Sequence, residues 1–217
     1  MRTHPVFLRL EGRRCVVVGG DAVAATKAHA CLAAGATVTV VAPEIAPDLA
    51  AEPGVRHVAR AYRPGDLAGA LVAYVTIRDP AVVGQLVDEA ERERVLLNVV
   101  DVPEACTFFA PAIAARGDLQ VAVGTGGASP ALAARLRTEL AAHIGPEYEP
   151  FVAILGAVRR ALASDPARGD VVSTLAGSAL LDLLRAGRRA EIDALLARIA
   201  GDGCTLDRLG VHLGDGA

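Results

Sequence analysis

Aromatic residues are nearly missing from this chain. They make up 3% of it, and tryptophan is absent. That excludes a surface on which successive bases stack against side-chain rings. A basic excess is missing as well. The net charge is −3, which gives no electrostatic footprint for a phosphate backbone, so no nucleic-acid partner is expected. Lysine occurs once, as Lys27. Every other basic side chain apart from histidine is arginine, which suits ordinary helix surfaces and bidentate carboxylate binding alike. Cys15, Cys31, Cys106 and Cys204 lack C-x-x-C spacing, and the five histidines are scattered. Neither a zinc site nor a disulfide framework follows, and no bound metal is expected. No apolar run approaches a membrane span, and Met1–Pro5 lacks a signal-peptide core. A cytoplasmic protein without a membrane partner is expected.

What is present is apolar and aliphatic. Hydrophobic residues make up 53% of the 217, dominated by Ala, Val and Leu, which favours helices packed closely on a sheet. Arg14–Val18 reads as a buried strand, Ala22–Ala34 as a helix closed by Gly35, and Thr37–Val41 as a second strand. That is a βαβ unit. Val55–Ala59, Leu71–Thr76 and Leu96–Val100 read as further strands, and Asp79-Pro80 caps a helix running to about Glu93. Strands alternating with helices predict a parallel sheet wound on both faces. Leu119–Val123 reads as one more buried strand, followed by a glycine turn and a helix with Ser129 as N-cap and Pro130 in its first turn. From Glu147 onward only helical spacing is visible, and the glycine-rich tail from Gly201 is expected to fray. The expectation is an α/β, Rossmann-like doubly wound domain over 1–112, a small dimerisation and substrate module over 113–145, and an all-helical part over 146–217.

Three places carry candidate chemistry. The turn after the first strand is an imperfect dinucleotide fingerprint, in which Gly19-x-Asp21-x-x-Ala24 stands for G-x-G-x-x-G/A. It nominates Gly19, Gly20, Asp21, Ala22 and Val23 as cofactor-binding, or else it is a tight turn without a nucleotide. After the second strand come Pro43 and Glu44, where a carboxylate would hold ribose hydroxyls or simply face water. Asp101 follows the strand Leu96–Val100 and is either a general base or a loop cap before Pro103.

Taken together, several segments resemble the precorrin-2 dehydrogenase and sirohydrochlorin ferrochelatase family, the N-terminal module of siroheme synthases. The resemblance runs from Pro5–Arg13 through Val16–Ala24 with Lys27-Ala28, Val38–Glu44, Asn98–Asp101 with Pro103, Phe108 and Pro111, to Thr125–Pro130 and about Arg137. It implies oxidation of precorrin-2 to sirohydrochlorin with hydride transfer to NAD, and in many members insertion of ferrous iron as a second reaction. One aspartate, corresponding to Asp101, would serve both. The resemblance also implies a homodimer, and it places Thr125, Gly126 and Ser129 near the tetrapyrrole. Arg135, Arg137 or Arg116 would meet its carboxylates or be ordinary surface arginines.

Departures from the family pattern cluster on the cofactor side. Asp21 replaces a glycine, Ile77 and Arg78 replace threonine and aspartate, and Val83 replaces asparagine. The opposite charges of Asp21 and Arg78 predict that the two pair across the cofactor groove and weaken NAD binding. Two other readings follow from that: a tetrapyrrole chelatase that has lost NAD, and a relative that binds a tetrapyrrole without turnover.

Overall fold

The computed structural model describes residues 2–213; Met1 and the last four residues of the tail lie outside it. By compactness the chain divides into two units, Met1–Ala110 and Pro111–Ala217.

The first unit is a doubly wound α/β domain. Its parallel sheet contains β1 (Arg14–Val18), β2 (Thr37–Ala42), β3 (Val55–Ala59), β4 (Val72–Val75) and β5 (Leu96–Val99), in the order β3-β2-β1-β4-β5. Side chains alternate across a strand, and β1 shows what this does. Cys15 and Val17 pack on one face with Ala24, Ala28 and Cys31 of α1 (Ala22–Ala33) and with Leu49 of the short α2 (Pro47–Ala50). Val16 and Val18 pack on the other with Leu86 and Ala90 of α3 (Pro80–Glu93). Helix α1 buries alanines and one cysteine, so little side-chain bulk separates it from the sheet. Asp79 caps α3 by accepting from the Ala81 N–H at 2.9 Å, with Pro80 in the first turn. The strand order reverses between β1 and β4, and in open α/β sheets ligands bind in the crevice beyond the strand ends at such a point.

A buried carboxylate closes the long connection from β3 to β4. Glu89 of α3 is 1% exposed. Its Oε1 accepts the N–H groups of Gly65 (3.0 Å) and Leu67 (2.7 Å), and its Oε2 accepts the Tyr62 hydroxyl. Burial, reinforced by this carboxylate, pushes the Tyr62 phenol well above its ordinary range.

The second unit starts with an antiparallel hairpin, β6 (Ala112–Arg116) and β7 (Leu119–Val123), turned at Gly117 with φ +53°. Helix α4 (Pro130–His143) follows and contacts both strands. The expectation that Leu119–Val123 is buried is not met. Its residues alternate between half-buried and exposed, because it pairs with β6 alone and is covered on one face only. Helices α5 (Tyr148–Ala161), α6 (Arg168–Ala176), α7 (Leu180–Arg185) and α8 (Arg189–Ala200) share a core that includes Ile154, Val158, Leu175, Leu180, Ile192 and Leu196. The tail is a second correction. Cys204, Leu206 and Val211 are buried in that core, and Asp193 accepts the Leu206 N–H at 2.7 Å. Apolar residues spaced between the glycines dock the segment from Cys204 to Leu213, and the expectation for the last four residues lies outside the described residues. Among the described residues no helix is long and apolar enough to cross a membrane.

Candidate active site

The turn between β1 and α1 is built around two glycines with different needs. Gly19 has φ +126°, a conformation that side-chain-bearing residues rarely adopt, and a Cβ there would collide with Thr76 Oγ1. A Cβ on Gly20 would strike the backbone carbonyl of Glu44. The loop after β2 therefore lies directly on this turn, fixed by the Ala46 N–H donating to the Gly20 carbonyl at 2.9 Å. This contact brings Gly20 against the Glu44–Ala46 segment.

Asp21 is the N-cap of α1. Its Oδ1 accepts the Ala24 N–H at 2.8 Å. The first amides of a helix have no partner inside it and attract anions, helped by the helix dipole. One of those donors is thus already committed to a carboxylate of the chain itself, while Ala22 and Val23, both exposed, form the rest of the first turn.

Arg78 does not meet Asp21. Its Nη2 lies 3.2 Å from Oδ2 of Asp101, which overturns the expected pairing across the groove. The cause is local. A cap three residues before its donor forms with the helix, which leaves Asp21 no need of a distant cation. Val75 of β4 is level with Val99 of β5, so the chain just past each strand end places Arg78 beside Asp101.

Asp101 itself sits at φ +63°, the left-handed region that aspartate tolerates better than most residues. The loop that holds it is sewn shut at its base. The Val99 N–H donates to Cys106 Sγ at 3.2 Å, and that thiol faces the carbonyls of Val99 and Val102. Burial pushes the Cys106 thiol up, which keeps it protonated as a donor. The Thr107 hydroxyl accepts the Leu97 N–H at 2.8 Å, and Asn98 Nδ2 donates to the Phe108 carbonyl at 3.0 Å. Phe108 packs edge-on against Tyr74, with ring centroids 5.4 Å apart, and the Lys27 ammonium lies 5.5 Å from the Tyr74 centroid. The Asp101 side chain remains 72% exposed. This leaves a carboxylate at the carboxyl edge of the sheet within reach of a bound molecule. Cys106, Asn98 and Thr107 were not assigned roles from sequence, since nothing in their spacing shows that they staple one loop.

The remaining sequence candidates belong to the second unit. The Thr125 hydroxyl accepts the Ser129 N–H and faces the Ser129 carbonyl, each at 3.1 Å, and Gly126 has φ +61°. Ser129 caps α4 through the Leu132 N–H. Arg135 pairs with Glu139 one turn along at 3.0 Å. Among the described residues no group of three or more His, Cys, Asp or Glu could hold a metal ion.

Residues 6–112 match the family described as "Putative NAD(P)-binding", and residues 116–143 match "Sirohaem biosynthesis protein central". The chain belongs to the family of siroheme synthase N-terminal modules. A siroheme synthase of Methylobacillus flagellatus is 41% identical over 165 residues, covering 75% of this chain and 35% of that protein. One of Chromobacterium violaceum is 43% identical over 151 residues, covering 68% and 32%. The chain thus spans about a third of the length of these siroheme synthases. A solved structure titled "SirC, precorrin-2 dehydrogenase" superposes with TM-score 0.68 over 88% of this chain and 100% of that one, at 22% identity. At that identity the likeness shows the fold alone.

Proposed function

We propose that this chain oxidises precorrin-2 to sirohydrochlorin with NAD, in the siroheme branch of tetrapyrrole biosynthesis. The observation that carries this reading is Asp101, held with an exposed carboxylate past the end of β5. It lies in the same unit as the Gly19–Gly20 turn, which supports a dinucleotide site there. The Gly19–Gly20 turn and the Ala22 and Val23 amides would hold the diphosphate beside Asp21, and Pro43 and Glu44 would line the ribose. Bound NAD supplies the hydride acceptor. Asp101 takes the proton lost from the adjacent ring position, with Cys106, Thr107 and Asn98 keeping its loop still while it does so. Thr125, Gly126, Ser129 and Arg135 form the proposed tetrapyrrole side, and the division into 1–112, 113–145 and 146–217 is our proposed working division. Ferrous iron is a candidate second substrate, with Asp101 drawing off pyrrole protons as the metal enters. We place the reaction in the cytoplasm. Anaerobic mixing of the purified chain with precorrin-2 and NAD tests the proposal: the sirohydrochlorin spectrum grows in, and a folded chain that leaves precorrin-2 unchanged overturns it.

The second reading, a tetrapyrrole protein without NAD, is favoured by Asp21 at the α1 N-terminus. The two readings separate by magnitude. Asp21 is exposed, so repulsion from a diphosphate at ~4 Å costs about 1 kcal/mol in water and about 4 at an intermediate dielectric. That weakens NAD and does not exclude it. Asp21→Gly is expected to tighten NAD about tenfold by calorimetry, and the lost cap to cost only a few tenths of a kcal/mol. An unchanged affinity would show that Asp21 stands clear of the diphosphate.

The working unit is proposed to be a homodimer formed through the hairpin and α4. Helix α4 buries only Ala133, while Leu132 and Leu140 are 42% and 39% exposed and Ile113 on β6 is 48% exposed. Such apolar exposure on the hairpin and its helix suits a protein partner. Leu132→Asp combined with Leu140→Asp is expected to leave a monomer by light scattering, and a persistent dimer would move the interface elsewhere.

A further inference from the structure

We propose that Arg78 is a shared residue, holding Asp101 with one N–H and taking an anionic side chain of the substrate with its others. The inference rests on the reading of Asp101 as the base for a tetrapyrrole, and it adds a specificity-determining residue to that site. The Arg78–Asp101 contact joins one guanidinium nitrogen to one carboxylate oxygen at 3.2 Å. A guanidinium carries five N–H donors in a planar fork, so the contact leaves most of them available. The Arg78 side chain is 81% exposed, which places it open to solvent at the carboxyl edge of the sheet. An exposed single-contact ion pair contributes little to stability, so stabilising the fold does not account for an arginine here. A cation that touches the base and also reaches solvent fixes the separation between that base and any carboxylate it binds. The substrate ring edge is thereby delivered to Asp101, and tetrapyrroles bearing a carboxylate beside the reacting pyrrole are selected.

The test uses the full chain and uroporphyrin, a carboxylate-rich porphyrin whose binding is read by fluorescence. Arg78→Ala is expected to raise Kd about tenfold and Arg78→Asp further, while Arg78→Lys, which keeps the charge and loses the planar fork, raises it less than Arg78→Ala does. With precorrin-2, Arg78→Ala raises KM about tenfold while kcat falls no more than about threefold, the pattern of lost substrate binding. Wild-type Kd in folded Arg78→Ala and Arg78→Asp proteins would overturn the proposal, as would a wild type that does not bind uroporphyrin. If instead binding depends on Arg78 but no NAD-dependent oxidation occurs, the oxidation reading fails and the assignment of Arg78 stands.

Discussion

Asp101→Asn is expected to lower kcat for precorrin-2 oxidation about a thousandfold, within the usual range for loss of a positioned general base. The substitution suits the question because it changes the chemistry and little else. Asparagine accepts left-handed backbone as readily as aspartate does, so the turn at φ +63° is kept. The lost ion pair with Arg78 is exposed and worth at most about 1 kcal/mol. Thermal unfolding should therefore be almost unchanged. Asp101→Gly adds a contrast, since glycine also takes the left-handed backbone freely and should give an equally inactive protein of about wild-type stability. Wild-type turnover in Asp101→Asn would show that another group takes the proton.

Glu89→Ala is expected to destabilise the first unit by about 2–3 kcal/mol, since the buried Leu67 N–H left without a partner costs ~1–3 kcal/mol, while exposed Gly65 and half-buried Tyr62 can turn to water. Three donors lose their acceptor: the Gly65 and Leu67 N–H groups and the Tyr62 hydroxyl. A cavity is added at a position that is 1% exposed. Glu89→Gln keeps an oxygen for the two amides and reverses only the hydrogen bond to Tyr62, at a cost of about 1 kcal/mol. Hydrogen exchange at Gly65 and Leu67 reads the same effect locally and should be much faster in the alanine variant. If Glu89→Ala exchanges and unfolds like the wild type, the carboxylate is not what holds the connection between β3 and β4.

The parts of this fold that could be read from the sequence are those with a strong period or strong punctuation. Arg14–Val18 runs into two glycines, and Asp79-Pro80 starts a helix, so their elements stand where the pattern put them. Ala112–Arg116 is mostly alanine, which has little strand preference, and its pairing with β7 makes it a strand. The segment after Gly201 looked loose because glycine dominates it, yet Leu206 and Val211 find a core that neighbouring helices create. The candidate site divides in the same way. The position of Asp101 just past a buried strand was legible. The capping role of Asp21 was also legible, because aspartate immediately before a helix is a common N-cap, but the charge on Arg78 suggested a long-range pair instead. The partner of Arg78 depends on strand register, and the Cys106 thiol beneath the loop depends on packing. Neither is written in local sequence.

The most direct measurement is the stoichiometry of the reaction. Precorrin-2 and excess NAD are mixed anaerobically with the wild-type chain, and NADH and sirohydrochlorin are quantified together. The account predicts that the two appear in equal amounts and at the same rate. Sirohydrochlorin formed without matching NADH, or a folded chain that forms neither, would contradict it.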